Sequence, residues 1–155
     1  MNKEDLLQEK IEKILLDIDF ISQYQHLSDT YKNIGSQFLY TTKQVLEIGE
    51  ENKVIFKVYE DDQYFSDFER VGEFEFRIGM TIKYNIVEFD ITIKNETQNI
   101  SSGGSFGLLL QLLSNWSTRI KKPGFNNYNE MRSLIKNGIF LYNNVKNAVV
   151  ENLTF

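Results

Sequence analysis

The spacing of apolar residues along the chain changes period twice, and each change marks a boundary between structural classes. Leu7, Ile11, Ile14, Ile18 and Ile21 recur at spacings of four, three, four and three, with Glu9, Lys10, Glu12, Lys13 and Asp17 filling the other faces. That is the stripe of an amphipathic helix. Tyr24, Leu27, Tyr31 and Ile34 continue the helical spacing on a rotated face. The pattern predicts one kinked helix or two, closed at Gly35 by a glycine cap. A seam of three turns followed by a full domain favours packing onto a sheet over a coiled coil.

From Ser36 to about Asn95 the period is two. Phe38, Tyr40, Val45 and Ile48 read as the opening strands, Gly49-Glu50-Glu51-Asn52 as a turn, and Val54, Phe56 and Val58 as the next alternation. Glu60-Asp61-Asp62 is a second polar break. Phe74, Phe76, Ile78, Met80, Ile82 and Tyr84 then alternate with Glu73, Glu75, Arg77, Gly79, Thr81 and Lys83. After Ile86 the parity flips, and Val87, Phe89, Ile91 and Ile93 become the apolar set. Such a flip requires a bulge or a tight turn near Tyr84–Val87. One apolar and one polar face predict an antiparallel meander of four to five strands with one wet side.

Beyond Asn95 the periodicity is lost and then becomes helical. Asn95–Ser105 reads as a polar loop. Phe106–Trp116 reads as an apolar helix, the most buried of the chain, broken at Lys121-Lys122-Pro123-Gly124. Asn127 and Glu130 form an N-cap and capping box for a last helix. Its buried face holds Met131, Leu134, Ile135, Gly138, Leu141, Tyr142, Val145 and Val149. The expected fold is a single α+β domain over 1–155: an N-terminal helix, the meander sheet, and two C-terminal helices on one sheet face.

Composition narrows the chemistry. The chain has no cysteine, one histidine (His26) and one proline (Pro123) among 155 residues. Thiolate nucleophiles, zinc–cysteine sites and multi-histidine metal centres are therefore excluded. A net charge of −5 disfavours nucleic acid and anionic membranes, which need clustered Lys and Arg. No stretch approaches the length of a transmembrane helix, and the charged, periodic N-terminus does not read as a signal peptide. The expected compartment is the cytoplasm. The Asn, Ile and Lys usage suggests an AT-rich bacterial genome. No cofactor and no metal is expected.

Several segments invite functional readings. His26 has no evident partner and reads as a helix-end residue. Ser101-Ser102-Gly103-Gly104-Ser105 precedes a helix but matches neither the dinucleotide fingerprint nor the P-loop, and reads as a connection with Ser105 as cap. Lys121-Lys122 is too short for a nucleic-acid patch. The segment from Glu60 onward is different. Glu60, Asp61, Asp62 and Asp67 are interleaved with Tyr64 and Phe65, with Phe68 and Glu69 following. Rings supply buried area and acids select a basic partner, so Glu60, Asp61, Asp62, Tyr64, Phe65 and Asp67 are the expected protein-binding residues.

Gly103-Gly104-Ser105-Phe106 and the stretch Pro123-Gly124-Phe125-Asn126-Asn127-Tyr128-Asn129-Glu130-Met131 complete the picture. In this combination the chain resembles the immunity proteins of bacterial polymorphic toxin systems, among them those of contact-dependent inhibition and of type VI and type VII secretion. The resemblance covers roughly the last third of the chain. It implies a non-enzymatic protein that binds a cognate toxin stoichiometrically, often a basic nuclease, and blocks it at or beside its active site. It carries over no binding residue. The competing expectation is a small-ligand-binding or carboxylate-dependent enzymatic domain with a pocket between sheet and helices.

Overall fold

A computed structural model describes residues 2–119 and 121–153. Its elements are α1 (Lys3–Asp17), α2 (Phe20–Thr30), α3 (Thr42–Glu51), β1 (Lys57–Tyr59), a 3-10 turn at Glu60–Asp62, β2 (Tyr64–Val71), β3 (Phe74–Lys83), β4 (Ile86–Asn95), β5 (Ile100–Ser105), α4 (Phe106–Leu113) and α5 (Tyr128–Asn152). The five strands form one antiparallel sheet in the order β1-β2-β3-β4-β5. The class is α+β, as the patterning predicts, and no described helix is long and apolar enough to cross a membrane.

The first helical stripe is two helices. Asp19, at φ 59, takes the left-handed conformation between α1 and α2 and turns the chain there. The second helix ends at Thr30, and Gly35, at φ 88, lies in the loop that follows instead of capping it.

The region from Thr42 to Glu51, expected as strand and turn, is helix α3. Its boundary is set by a capping box: Thr41 Oγ1 accepts from Gln44 N at 3.1 Å and Gln44 Oε1 accepts from Thr41 N at 2.9 Å. Val45, Ile48 and Gly49 form its buried face, a spacing of three and one that suits a helix and not a strand.

The β3–β4 hairpin follows its alternation from Phe74 to Ile82 and from Val87 to Ile93, but Tyr84, expected to extend the apolar set, is exposed in the turn. Phe76 faces Ile93, Ile78 faces Ile91 and Met80 faces Phe89, and all six are buried. The parity flip is a two-residue turn, with Tyr84 at φ 53 and Asn85 at φ 60. Asn85 Nδ2 donates to Phe38 O at 2.9 Å, and Phe125 N donates to Asn85 O at 3.0 Å. The turn is thereby stitched to the two long loops. Phe125 is itself core, with the Phe38 and Tyr40 rings edge-on to it.

Two expectations after Asn95 are corrected. Ile100–Ser105 is not a loop but the fifth strand, paired with β4 from Asn95↔Ile100 to Asp90↔Ser105. Its low β-propensity is overridden by Gly103, which lets the backbone lie against Ile91 where a Cβ would collide with the Ile91 carbonyl. Helix α4 is short, stops at Leu113 and leaves Leu108 exposed, so it is not the most buried helix. Ser105 caps it, accepting from Leu108 N at 3.2 Å.

The most deeply packed helix is α5. Every residue predicted for its buried face is buried. Its cap is also as expected, with Asn127 Oδ1 accepting from Glu130 N at 2.9 Å. The Glu130 carboxylate accepts from Asn126 N and from the Asn127 side-chain Nδ2, not from the Asn127 backbone N–H that a capping box would use. Phe106 anchors the other end of the core, with Phe20, Tyr24 and Phe89 at centroid distances of 5.4, 5.9 and 5.7 Å. Such aromatic contacts add about 0.5–1.5 kcal/mol each beyond area burial.

Candidate functional site

The segment expected to bind a partner is real surface, but the pleat of β2 divides it. Successive side chains of a strand point to opposite faces. Tyr64 pairs with Thr81 and Phe68 with Arg77 on the polar side of the sheet, while Phe65 pairs with Met80 and Asp67 with Ile78 on the side that meets the helices. The six residues therefore do not form one patch.

Phe65 is fully buried, stacked edge-on to Phe56 at 6.1 Å, and belongs to the core. It offers nothing to a partner. Asp67 is turned toward the helix side, where Oδ2 accepts from Ile55 N at 3.1 Å and Oδ1 from Phe68 N at 2.9 Å. It pins the approach to β1. Glu60, Asp61 and Asp62 stand exposed on the 3-10 turn between β1 and β2, with no ion pair among the described residues.

Tyr64 opens a cluster that lies on the polar face. Its hydroxyl donates to Asp90 Oδ1 at 3.3 Å, and Tyr59 packs against its ring at 6.1 Å. Tyr59 is 46 % and Phe68 54 % exposed. Arg77 lies between them and the far strand, donating from Nη2 to Thr92 Oγ1 at 2.9 Å. Its Nε is buried without a partner. Gly79 makes the floor: a Cβ there would collide with the Tyr64 hydroxyl and both Asp90 carboxylate oxygens.

Burial raises the Asp90 pKa, with Glu88 adding to the effect and Arg77 and the Tyr64 hydrogen bond opposing it. The Tyr64 hydroxyl is pushed up to about 12, first by burial and then by the Asp90 charge. It therefore stays a neutral donor. The result is a half-dry dent in an uncovered sheet face, with two rings and an arginine on its rim. Tyr and Arg are the residue types that dominate binding hot spots. Sequence reasoning places Arg77, with Glu73, Glu75 and Lys83, on a wet sheet face that could equally be a docking surface, and does not single out Asp90. Register across three strands, not spacing along one, is what brings them to Tyr64.

The other sequence candidates are structural. His26 is an exposed residue of α2. Lys122 pairs with Glu88 where the Pro123–Gly124 segment, and not β5, lies beside β4. Among the described residues no three His, Cys, Asp or Glu side chains gather as a metal-binding group. No family model matches the chain, and neither a curated protein nor a solved structure matches it.

Proposed function

We propose that the chain is a non-enzymatic protein-binding module, an immunity protein that neutralises a basic bacterial toxin. The open sheet face grips the partner, and the acidic turn at its edge selects it. Tyr59, Tyr64, Phe68 and Arg77 supply the contact area. Glu60, Asp61 and Asp62 supply the charge.

The observation that carries this reading is the turn. Three successive carboxylates stand exposed beside exposed rings, with no ion pair among the described residues. A surface that leaves acids uncompensated next to aromatic area suits a cationic partner: the rings bury surface, and the acids speed encounter and reject acidic competitors.

The test begins with purifying the intact chain's stoichiometric partner from a bacterium that carries the gene. The partner alone should be toxic on expression, and co-expression of the chain should restore growth. Asp61→Lys with Asp62→Lys should weaken the complex about tenfold or more and make the remaining affinity less sensitive to salt. Unaltered affinity after both reversals removes the acidic turn from the interface. Failure to protect removes the immunity reading.

A further inference from the structure

Tyr24 on α2 is fully buried, its ring packed against Phe20 and Phe106 at centroid distances of 6.1 and 5.9 Å. Its hydroxyl is buried as well and has no hydrogen-bond partner among the described residues. Buried hydroxyls ordinarily find one. Burial raises its pKa and the Glu88 charge adds to the rise, so the group is a neutral donor on the Glu88 side of the ring.

The packing that buries the ring also fixes where this donor lies. Tyr24 lines a recess of about 210 Å³ together with Glu88, Ser105, Gly107, Gln111 and Lys122. The recess occupies a gap in the cover of β4. On one side Val87 N donates to Pro123 O at 2.8 Å, and on the other β5 ends at Ser105 opposite Asp90. Glu88 lies between the two. The site is at the other end of the strand order from the acidic turn of β1 and β2, and its assignment does not depend on the protein-binding reading.

Helix α4 begins at this gap. The opening amides of a helix have no partner within it, and the aligned peptides give that end a partial positive charge. Ser105 Oγ takes the Leu108 amide. Gly107, the second residue of α4, lines the recess with no side chain to cover its own amide, and a Cβ there would meet nothing within 4 Å. Backbone N–H groups at a helix start suit an oxyanion. The Tyr24 hydroxyl adds a second donor of independent origin, and the fold gives it no acceptor.

Charge then selects among anions. Lys122 pairs with Glu88, so the two cancel, and the ammonium keeps further N–H donors. The helix terminus remains as the uncompensated positive charge. An ionised carboxylate only accepts hydrogen bonds. Glu88 therefore repels an oxyanion without a proton, such as sulfate, and accepts from one that keeps a proton at neutral pH. Free phosphate keeps one. A phosphate monoester has largely lost its last, its second pKa being about 6.

We propose that this recess binds free phosphate, its oxygens accepting from the Tyr24 hydroxyl, the Gly107 amide and the Lys122 ammonium, and its own O–H donating to Glu88. The ligand supplies the acceptor that Tyr24 lacks.

The experiment is an amide NMR titration of the full chain at neutral pH with inorganic phosphate, using sulfate and methyl phosphate as controls. Phosphate should give saturable shifts grouped on Glu88, Gly107, Leu108 and Gln111, and each control should bind about tenfold more weakly or not at all. Tyr24→Phe removes only an unpartnered oxygen. The variant should keep its fold, with a denaturant midpoint no lower than the parent's, and bind phosphate about tenfold more weakly. Glu88→Gln breaks a partly exposed ion pair that adds little to stability and puts a donor where the carboxylate stood. Sulfate should then bind within about threefold of phosphate. Absence of grouped, saturable shifts with phosphate overturns the proposal. So does sulfate binding the parent as well as phosphate does, unchanged phosphate affinity in Tyr24→Phe, or unchanged selectivity in Glu88→Gln.

Discussion

The Tyr64 hydroxyl reaches over Gly79 to donate to Asp90 Oδ1, so that β2 and β4 are joined across the strand between them. Only a residue without a Cβ leaves room for this bond. Gly79→Ala should cost about 1–3 kcal/mol, the usual range for overpacking, and lower the denaturant midpoint without changing the slope. Adding Tyr64→Phe, which deletes one of the colliding oxygens, should recover part of the loss. Additive effects of the two substitutions would show that they do not share the dent.

Asp90 makes stability depend on pH in a stated direction. Its folded pKa is raised above the unfolded value, chiefly by burial. The folded state therefore holds the proton more tightly than the unfolded chain. That contribution is fully present below the ordinary carboxylate range and is lost as pH rises through the raised value. Carboxyl NMR should place the Asp90 midpoint above the ordinary carboxylate range. Arg77→Gln should move it higher still, because the guanidinium opposes the shift. A lower midpoint in that variant would contradict the electrostatic assignment.

Gly138 of α5 lies directly over the Phe89 ring, and a Cβ at this position would collide with it. Alanine in a helix gains about 1 kcal/mol over glycine, but overpacking a rigid core ring costs about 1–3 kcal/mol. The clash wins. Gly138→Ala should lower stability in chemical denaturation, and the same substitution in a Phe89→Leu background should be less costly. The coupling in that cycle is the readout.

The Thr41–Gln44 box starts α3 and should matter locally. Thr41→Ala should cost about 1 kcal/mol. Hydrogen exchange should quicken first in residues 42–45, because the amides released lie in the opening turn. Uniform quickening across α5 and the sheet would mean that the box supports the whole fold instead.

The parts of this fold legible in the sequence are those where one face is buried along a long element. The α5 stripe and the β3–β4 alternation are both of this kind, and their caps and turn fall where the residue types demand. Reading failed where a short run carries two messages. Val45 and Ile48 followed Phe38 and Tyr40, and the β-like spacing of the earlier pair, which belongs to a loop, was extended into a helix. Thr41-Thr42-Lys43-Gln44 carries the capping-box pattern and was the overlooked signal. Ser101–Ser105 has almost no strand propensity, and only its neighbour β4 makes it a strand. The expected binding patch grouped residues by chain order. A pleated strand instead sends Tyr64 and Phe65 to opposite sides, so neighbours in sequence became strangers in space. Asp90 is not visible as the partner of Tyr64 without the register of β2 to β4.

Every strand of this sheet pairs with its neighbour in the chain, and of the helices packed on it α5 comes last. Local hairpins close quickly because little loop entropy is spent on each. On a ribosome, the order of emergence therefore separates making the sheet from sealing it. While α5 is still being made, Phe76, Ile78 and Met80 on β3 lack its cover, and the nascent chain carries a sticky, half-finished face. Polypeptides released before α5 should precipitate or engage chaperones, and the delay between the last hairpin and the last helix is the interval in which this protein is most easily lost to aggregation.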